Sequence, residues 1–259
     1  GNLRPAAKAG RTHGAIGYLI TDWGDGGHPQ PLAVSWLPYL FGASVSWCAK
    51  SFDAFMETGA KVRSSAFRRQ VRSNRLKAEL QTKATVAVLS RDVFSDPTQR
   101  VAKAALGLGL AHRKLRFKVV NETPMGTAIA APPPELRELF CRNGLKHCAQ
   151  IASQNIRAAL REVGRQREIA SRACPETKAG RILLHELEFA ARMAAHSCKF
   201  MLWQQAVAEG KTSEAKRMAS AGIRELRSLQ REFDAFWPRR NKGTTAKCSP
   251  FLKWRIEDY

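Results

Sequence analysis

The first apolar run along the chain, Ala15 to Thr21 (AIGYLIT), is short and mixes β-branched, aromatic and small residues. That pattern fits a strand buried on both faces, as in a parallel sheet. The polar, Gly- and Pro-rich segment DWGDGGHPQP follows it. Beyond that loop, Leu32 to Trp47 repeats apolar residues at Val34, Leu37, Leu40, Phe41 and Val45. The spacing predicts a helix, with Pro38 confined to its first turn or marking a kink. Strand, loop and helix make one β–loop–α unit, and one such unit cannot close a sheet.

From about Lys50 onward the strand pattern fades and helical spacing dominates. FSDPTQRVAKAALGLGLAHRKL opens with Ser95 or Asp96 as N-cap candidate and Pro97 at a helix start. NETPMGTAIAAPPPE reads as a loop stopped by Pro132 to Pro134. Leu183, Leu187, Ala190, Ala194, Cys198 and Met201 mark a long amphipathic helix, and Ile223, Leu226, Phe233, Phe236 and Trp237 mark another. The tail WPRRNKGTTAKCSPFLKWRIEDY predicts an irregular turn and then a short helix. No longer repeat is present. The expected fold class is mainly α: a short β/α segment over residues 1–50, then a helical domain over 51–259.

Charge changes the picture more than composition does. Across 259 residues, 43 Lys and Arg face 22 Asp and Glu, a net charge of +21. Such a balance attracts polyanions without specifying a fold. Lys61 to Arg91 concentrates the excess, with Glu79 its one acidic residue. It reads as a solvated basic face or insertion. Phe67 is its single aromatic, which supports base stacking poorly. No apolar stretch reaches the roughly 20 residues that span a bilayer. The start, GNLRPAAKAGRTHG, carries no initiator Met and no apolar signal-peptide core, so a piece of something longer is expected. Six scattered cysteines read as reduced thiols. The compartment stays open, with these signals leaning to the cytoplasm.

Several motifs fail on chemistry. GLGLAH (Gly107 to His112) lacks a third glycine and a preceding strand, so helix packing is expected there. EGKTS (Glu209 to Ser213) has Gln205 where a phosphate loop needs its first glycine. HELEFAARMAAH places Phe189 where a zinc-protease helix needs its second histidine. His185 and His196 could share a helix face, but ordinary surface or core histidines are the plainer reading. Cys141 and Cys148 flank His147 without a further donor pair, so buried thiols are expected. Asn121 heads a formal glycan acceptor, which matters only in a secreted chain.

The opening loop withstands the same scrutiny. Active sites of parallel α/β folds, barrels above all, lie at the carboxyl ends of strands. Trp23 and Asp25 fall there. An aromatic face beside a carboxylate suits a sugar, because the ring packs on pyranose C–H groups while the carboxylate accepts hydroxyl hydrogen bonds. Gly24, Gly26 and Gly27 allow close backbone approach. A plain Asp/Gly turn with a packed Trp is the other reading.

YLITDWGDGGHPQPLAVSWLPYLFGASVSW resembles a segment of bacterial β-N-acetylhexosaminidases of glycoside hydrolase family 20, where it forms the last barrel strand and its loop. RDVFSDPTQRVAKAALGLGLAHRKL, NETPMGTAI and ELEFAARMAAHSCKF resemble the helical domain that follows the barrel. The closing segment is similar to the family's Trp-x-x-Arg-Asn-x-x-Gly pattern, here Trp237, Arg240 and Asn241 with Thr244 at the Gly position. The resemblance implies residues 1–50 as the last β/α unit of a (β/α)8 barrel and 51–259 as the helical domain. It makes Phe52 to about Asn74 an insertion. It also implies that Trp23 and Asp25 grip a terminal N-acetylhexosamine, while His28 and Asp22 shape the loop or touch the sugar.

The family's chemistry rests on an adjacent Asp–Glu pair on an earlier strand. The Glu protonates the leaving oxygen, and the Asp orients the substrate's acetamido group as nucleophile, an exception to the two-carboxylate scheme. No Asp-Glu dipeptide occurs in the sequence. The chain therefore resembles the C-terminal part of such an enzyme, with the rest of the barrel as partner, no catalytic residue of its own and no cofactor implied. A basic helical nucleic-acid-binding protein and a non-catalytic helical scaffold are the rival expectations.

Overall fold

The computed structural model describes residues 3–22, 31–47, 83–119, 123–131, 147–241 and 243–259. Its main helices are α1 (Leu3–Thr12), α2 (Trp36–Trp47), α3 (Arg100–Ala111), α4 (Pro124–Ala130), α5 (Ser153–Ser171), α6 (Lys178–Ala208), α7 (Thr212–Phe236) and α8 (Phe251–Asp258). No strand occurs among the described residues, so the mainly helical expectation holds. The described chain falls into two compact units. One holds residues 3–22, 32–47, 83–103 and 173–184; the other holds 104–119, 123–131, 147–172 and 185–259.

In the first unit, α1 ends on Gly14 at φ 70, and Ala15 N–H reaches back to the Gly10 carbonyl at 2.8 Å. That is the left-handed stop a glycine supplies. The strand expected at Ala15–Thr21 does not form. The run has no regular structure, and Ile16 and Leu19 are exposed, Leu19 at 84%. Ladder hydrogen bonds need a neighbouring strand, and the described residues offer none. Alternation is confined to Tyr18–Ile20, since Ile16 is exposed as well. Tyr18 packs with Ala7, Phe41 and Val45 and donates its hydroxyl to the Leu3 carbonyl at 2.8 Å. Ile20 lies against Gly42, where a Cβ would come within 2.4 Å of its Cδ1. Leu19, between them, points to solvent.

Helix α2 forms where expected, with Pro38 in the first turn, where no intrahelical N–H is lost. A helical stretch over 83–93 ends in a wide π turn, Leu89–Val93. The expected helix start at Pro97 moves to Arg100, because Gln99 adopts φ 59 and cannot continue a right-handed helix. Asp96 still caps: its carboxylate, 1% exposed, accepts from Val101 N–H at 2.9 Å and from the Thr98 hydroxyl at 2.6 Å. Thr98 N–H at 3.1 Å and Cys174 N–H at 3.3 Å complete the set.

The second unit is built around α6. Its residues Ala191, Ala195, Cys198, Met201 and Leu202 pack with Ile156, Ala159 and Val163 of α5. Phe189 and Met193 pack instead with Leu226, Leu229, Phe233 and Phe236 of α7 and with Phe251 and Leu252 of α8. The residues read from sequence as one stripe divide between the two clusters, Ala190 on the second and Ala194, Cys198 and Met201 on the first. A helix covered from two sides carries apolar residues around most of its circumference.

The loop expected at NETPMGTAI is a helix, α4, from Pro124 on. Thr123 Oγ1 accepts from Gly126 N–H at 3.1 Å, and Pro124 sits at the first helical position, where its missing donor costs nothing. The tail behaves as expected, with short 3-10 turns before α8. Residues 52–74, and 61–82 of the basic stretch, lie outside the described residues, as do Cys48, Asn121 and Cys141.

Candidate functional site

Of the sugar-site residues, Asp22 is described; Trp23, Asp25 and His28 lie outside the described residues. Asp22 sits where the Tyr18–Ile20 run leaves α1 and α2. Ser35, buried at the entrance to α2, donates its hydroxyl to Asp22 Oδ2 at 2.5 Å. Tyr39, one turn further along α2, also hydrogen-bonds Asp22; its phenol is held above its usual range by burial first, then by the Asp22 charge and that bond. The Tyr39 ring meets Trp36 edge-on at 6.4 Å. The Asp22 carboxylate is thus engaged by Ser35 and Tyr39, and ties the end of the first described run to the start of α2.

A second polar constellation lies in the other unit, between α6, α7 and α8. His196 is fully buried, with Nδ1 2.8 Å from Glu225 Oε2 and Nε2 3.3 Å from the Tyr259 hydroxyl. Glu225 is an acceptor only, so His196 Nδ1 donates to it, and the Tyr259 hydroxyl is the partner of Nε2. Lys199 Nζ adds a bond to Glu225 Oε1 at 2.7 Å. Burial raises the Glu225 pKa, but His196 and Lys199 outweigh it and hold the group down at about 2. Tyr259 is pushed well above the ordinary phenol range by burial and by the Glu225 charge. The Glu225–His196–Tyr259 chain of hydrogen bonds joins α6, α7 and the residue that follows α8, and works as a clasp between them.

Neighbouring charges are paired in the same manner. Glu232 of α7 takes His185 Nε2 at 2.9 Å and also bonds Arg192. Burial first, then the charges of Arg239 and Arg192, keep the His185 pKa low. Arg255 of α8 is fully buried, donates to the Ala128 carbonyl at 3.0 Å and pairs with Asp258 at 2.7 Å. Of the Trp-Arg-Asn pattern, Trp237 packs on Phe233 at 5.2 Å, Arg240 reaches Glu186 at 3.3 Å, and Asn241 donates to the Trp237 carbonyl at 3.1 Å. These residues stabilise the turn before α8.

The two histidines do share α6, yet each faces a different acid of α7. Sequence spacing alone could not find those partners, which lie 29 and 47 residues away. Cys148 and Cys198 are buried thiols with pKa values pushed up to about 12 by burial. Gly107 abuts Gln166, in keeping with helix packing at GLGLAH. Among the described residues, no three His, Cys, Asp or Glu side chains gather as metal ligands, and no helix is long and apolar enough to cross a membrane. Comparison with protein-family models, with curated proteins and with solved structures gave no match.

Proposed function

We propose that this chain supplies the last strand, the sugar-gripping loop and the C-terminal helical domain of a retaining, exo-acting β-N-acetylhexosaminidase of glycoside hydrolase family 20. The proposal rests on the TDWGDGGHPQP segment. The described residues show no strand there, and the order of α1, the Tyr18–Ile20 run and α2 is the one feature of the fold in keeping with the reading. Tyr18 and Ile20 meet helices while Leu19 is open. A barrel strand alternates in this way between its helix layer and its interior. On this reading, neighbouring strands cover Leu19 and complete the hydrogen-bond ladder.

Asp22 and Ser35 fix the two ends of the loop at the carboxyl end of that strand. The loop then presents the Trp23 ring to the apolar face of an N-acetylhexosamine and the Asp25 carboxylate to its hydroxyls, with His28 bracing or touching the sugar. The proton donor and the carboxylate that orients the acetamido group come from the preceding strands. The test has two parts. The coding sequence upstream of Gly1 is read for further barrel strands and an Asp-Glu pair. The complete product is then assayed on a chromogenic N-acetyl-β-glucosaminide with Trp23→Ala and Asp25→Asn. Hydrogen bonds to a charged group are worth about 1.5–3 kcal/mol, so each change should cost roughly 10–100-fold in kcat/KM. Wild-type kinetics in both variants would remove the sugar pocket from the proposal.

A further inference from the structure

Helix α7 sorts its charges by face. Two of its four carboxylates, Glu225 and Glu232, point inward and are taken up by His196, Lys199, His185 and Arg192 of α6, while Glu214 is half-buried and the exposed Asp234 accepts from Gln230 and Thr245. Its arginines point outward: Arg217, Arg224, Arg227 and Arg231 are all exposed. None of the four makes an ion pair among the described residues. Arg217, Arg224 and Arg231 recur every seven residues, and at 1.5 Å per residue they lie about 10.5 Å apart along roughly 21 Å of helix. Arg227 flanks the line. Ser220, Ala221 and Ser228 fill the exposed positions between them, so no bulky side chain shields the guanidinium groups there.

We infer that this face of α7 is a docking surface for duplex nucleic acid, contacted through its phosphate backbone. Guanidinium forks match phosphate oxygens. A duplex offers one negative charge per about 1.7 Å of axis, so all four arginines find a phosphate without a special register. The face has no aromatic residue. Single-stranded bases would have nothing to stack on, and a glycan would find no ring for its C–H face. Binding is therefore sequence-blind, and it is independent of the sugar loop.

The test uses the full chain with a fluorescent 24-base-pair DNA duplex of arbitrary sequence, read by anisotropy between about 50 and 200 mM salt. The variant is R217Q/R224Q/R227Q/R231Q. The control, R113Q/K118Q/R157Q/R161Q, removes equal charge from other exposed positions of the same unit. Each phosphate contact contributes about 0.9 to the slope of log K against log salt. The α7 variant should lose roughly 3.6 of that slope and bind at least tenfold more weakly, and the control should lose little. Helical circular dichroism confirms that both remain folded. Equal losses in both variants would mean bulk charge without a docking face, and overturn the inference. An α7 variant that binds the duplex with wild-type affinity and salt slope would overturn it, and so would tighter direct binding of a sulfated polysaccharide than of the duplex at equal charge concentration.

Discussion

Asp96 offers the sharpest test of how the first unit is held. Its buried carboxylate gathers four donors from Thr98, Val101 and Cys174, and so ties the start of α3 to the segment before α6. It also stabilises backbone that resists its own geometry, since Ser95 and Gln99 sit at φ 49 and 59. Non-glycine residues there cost on the order of 1 kcal/mol each. Asp96→Ala strands the Val101 and Cys174 N–H groups, at about 1–3 kcal/mol apiece. The expected loss is ~4 kcal/mol, and at about 2–4 °C per kcal/mol the melting temperature should fall by ~8–16 °C. Asp96→Asn keeps one accepting oxygen and should lose about half as much.

The pH dependence is the second reading of the same bond set. Burial raises the Asp96 pKa, but the Thr98, Val101 and Cys174 hydrogen bonds bring it below the ordinary carboxylate value. A depressed folded pKa gives stability that is complete above the unfolded value, about 3.9, and is lost as pH falls through the folded one. Urea denaturation at pH 7, 4 and 2.5 should therefore show the gap between wild type and Asp96→Asn closing at low pH. An Asp96→Ala protein within 1 kcal/mol of wild type at pH 7 would refute the argument. So would a gap unchanged at pH 2.5.

Four other outcomes are expected. The purified 259-residue chain alone should not hydrolyse a chromogenic N-acetyl-β-glucosaminide, because no Asp-Glu pair is present; turnover lost on mutating a residue of this chain would sink the proposed division of labour. Phe189→Ala should cost ~3–5 kcal/mol in denaturant titration, since its ring is fully buried 4.9 Å from Phe236 and 5.8 Å from Phe233. Glu225, held at about 2, should contribute stability fully above about pH 4.3 and lose it toward pH 2, and Glu225→Gln should flatten that limb of the pH–stability curve. Gly222→Leu should displace the Tyr259 ring, seen as a rise in Trp203 solvent quenching with the helical content unchanged, because even a Cβ there meets that ring at 2.4 Å.

The long helices were legible because their apolar spacing survives in the sequence, although α6 runs beyond both ends of its stripe and α7 begins at Thr212, well before Ile223, the first residue that announced it. What periodicity could not carry was the second buried side of α6. Phe189 and Met193 fall between the residues of the first stripe, and only the approach of α7 and α8 makes them core. α4 was hidden by its prolines, although Thr123-Pro124 is a start signal when read as cap and first turn. Asp96 was visible as a cap, but its bond to Cys174 spans 78 residues and no local pattern reports it. The clasp of His196, Glu225 and Tyr259 was invisible for the same reason. Its members come from α6, α7 and the residue that follows α8, and each alone looks like an ordinary polar residue on an amphipathic surface.

The two hydrophobic clusters of the second unit share α6, and that sharing sets how the unit comes apart. Neither cluster can open by shedding a peripheral helix and leaving α6 intact, since α6 would then expose one of its two apolar sides. The second unit should therefore behave as a single cooperative block. In native-state hydrogen exchange, the central amides of α5, α6 and α7 should open with one common free energy and one common denaturant slope. The frayed ends and the surface turn at Gly210 should exchange earlier.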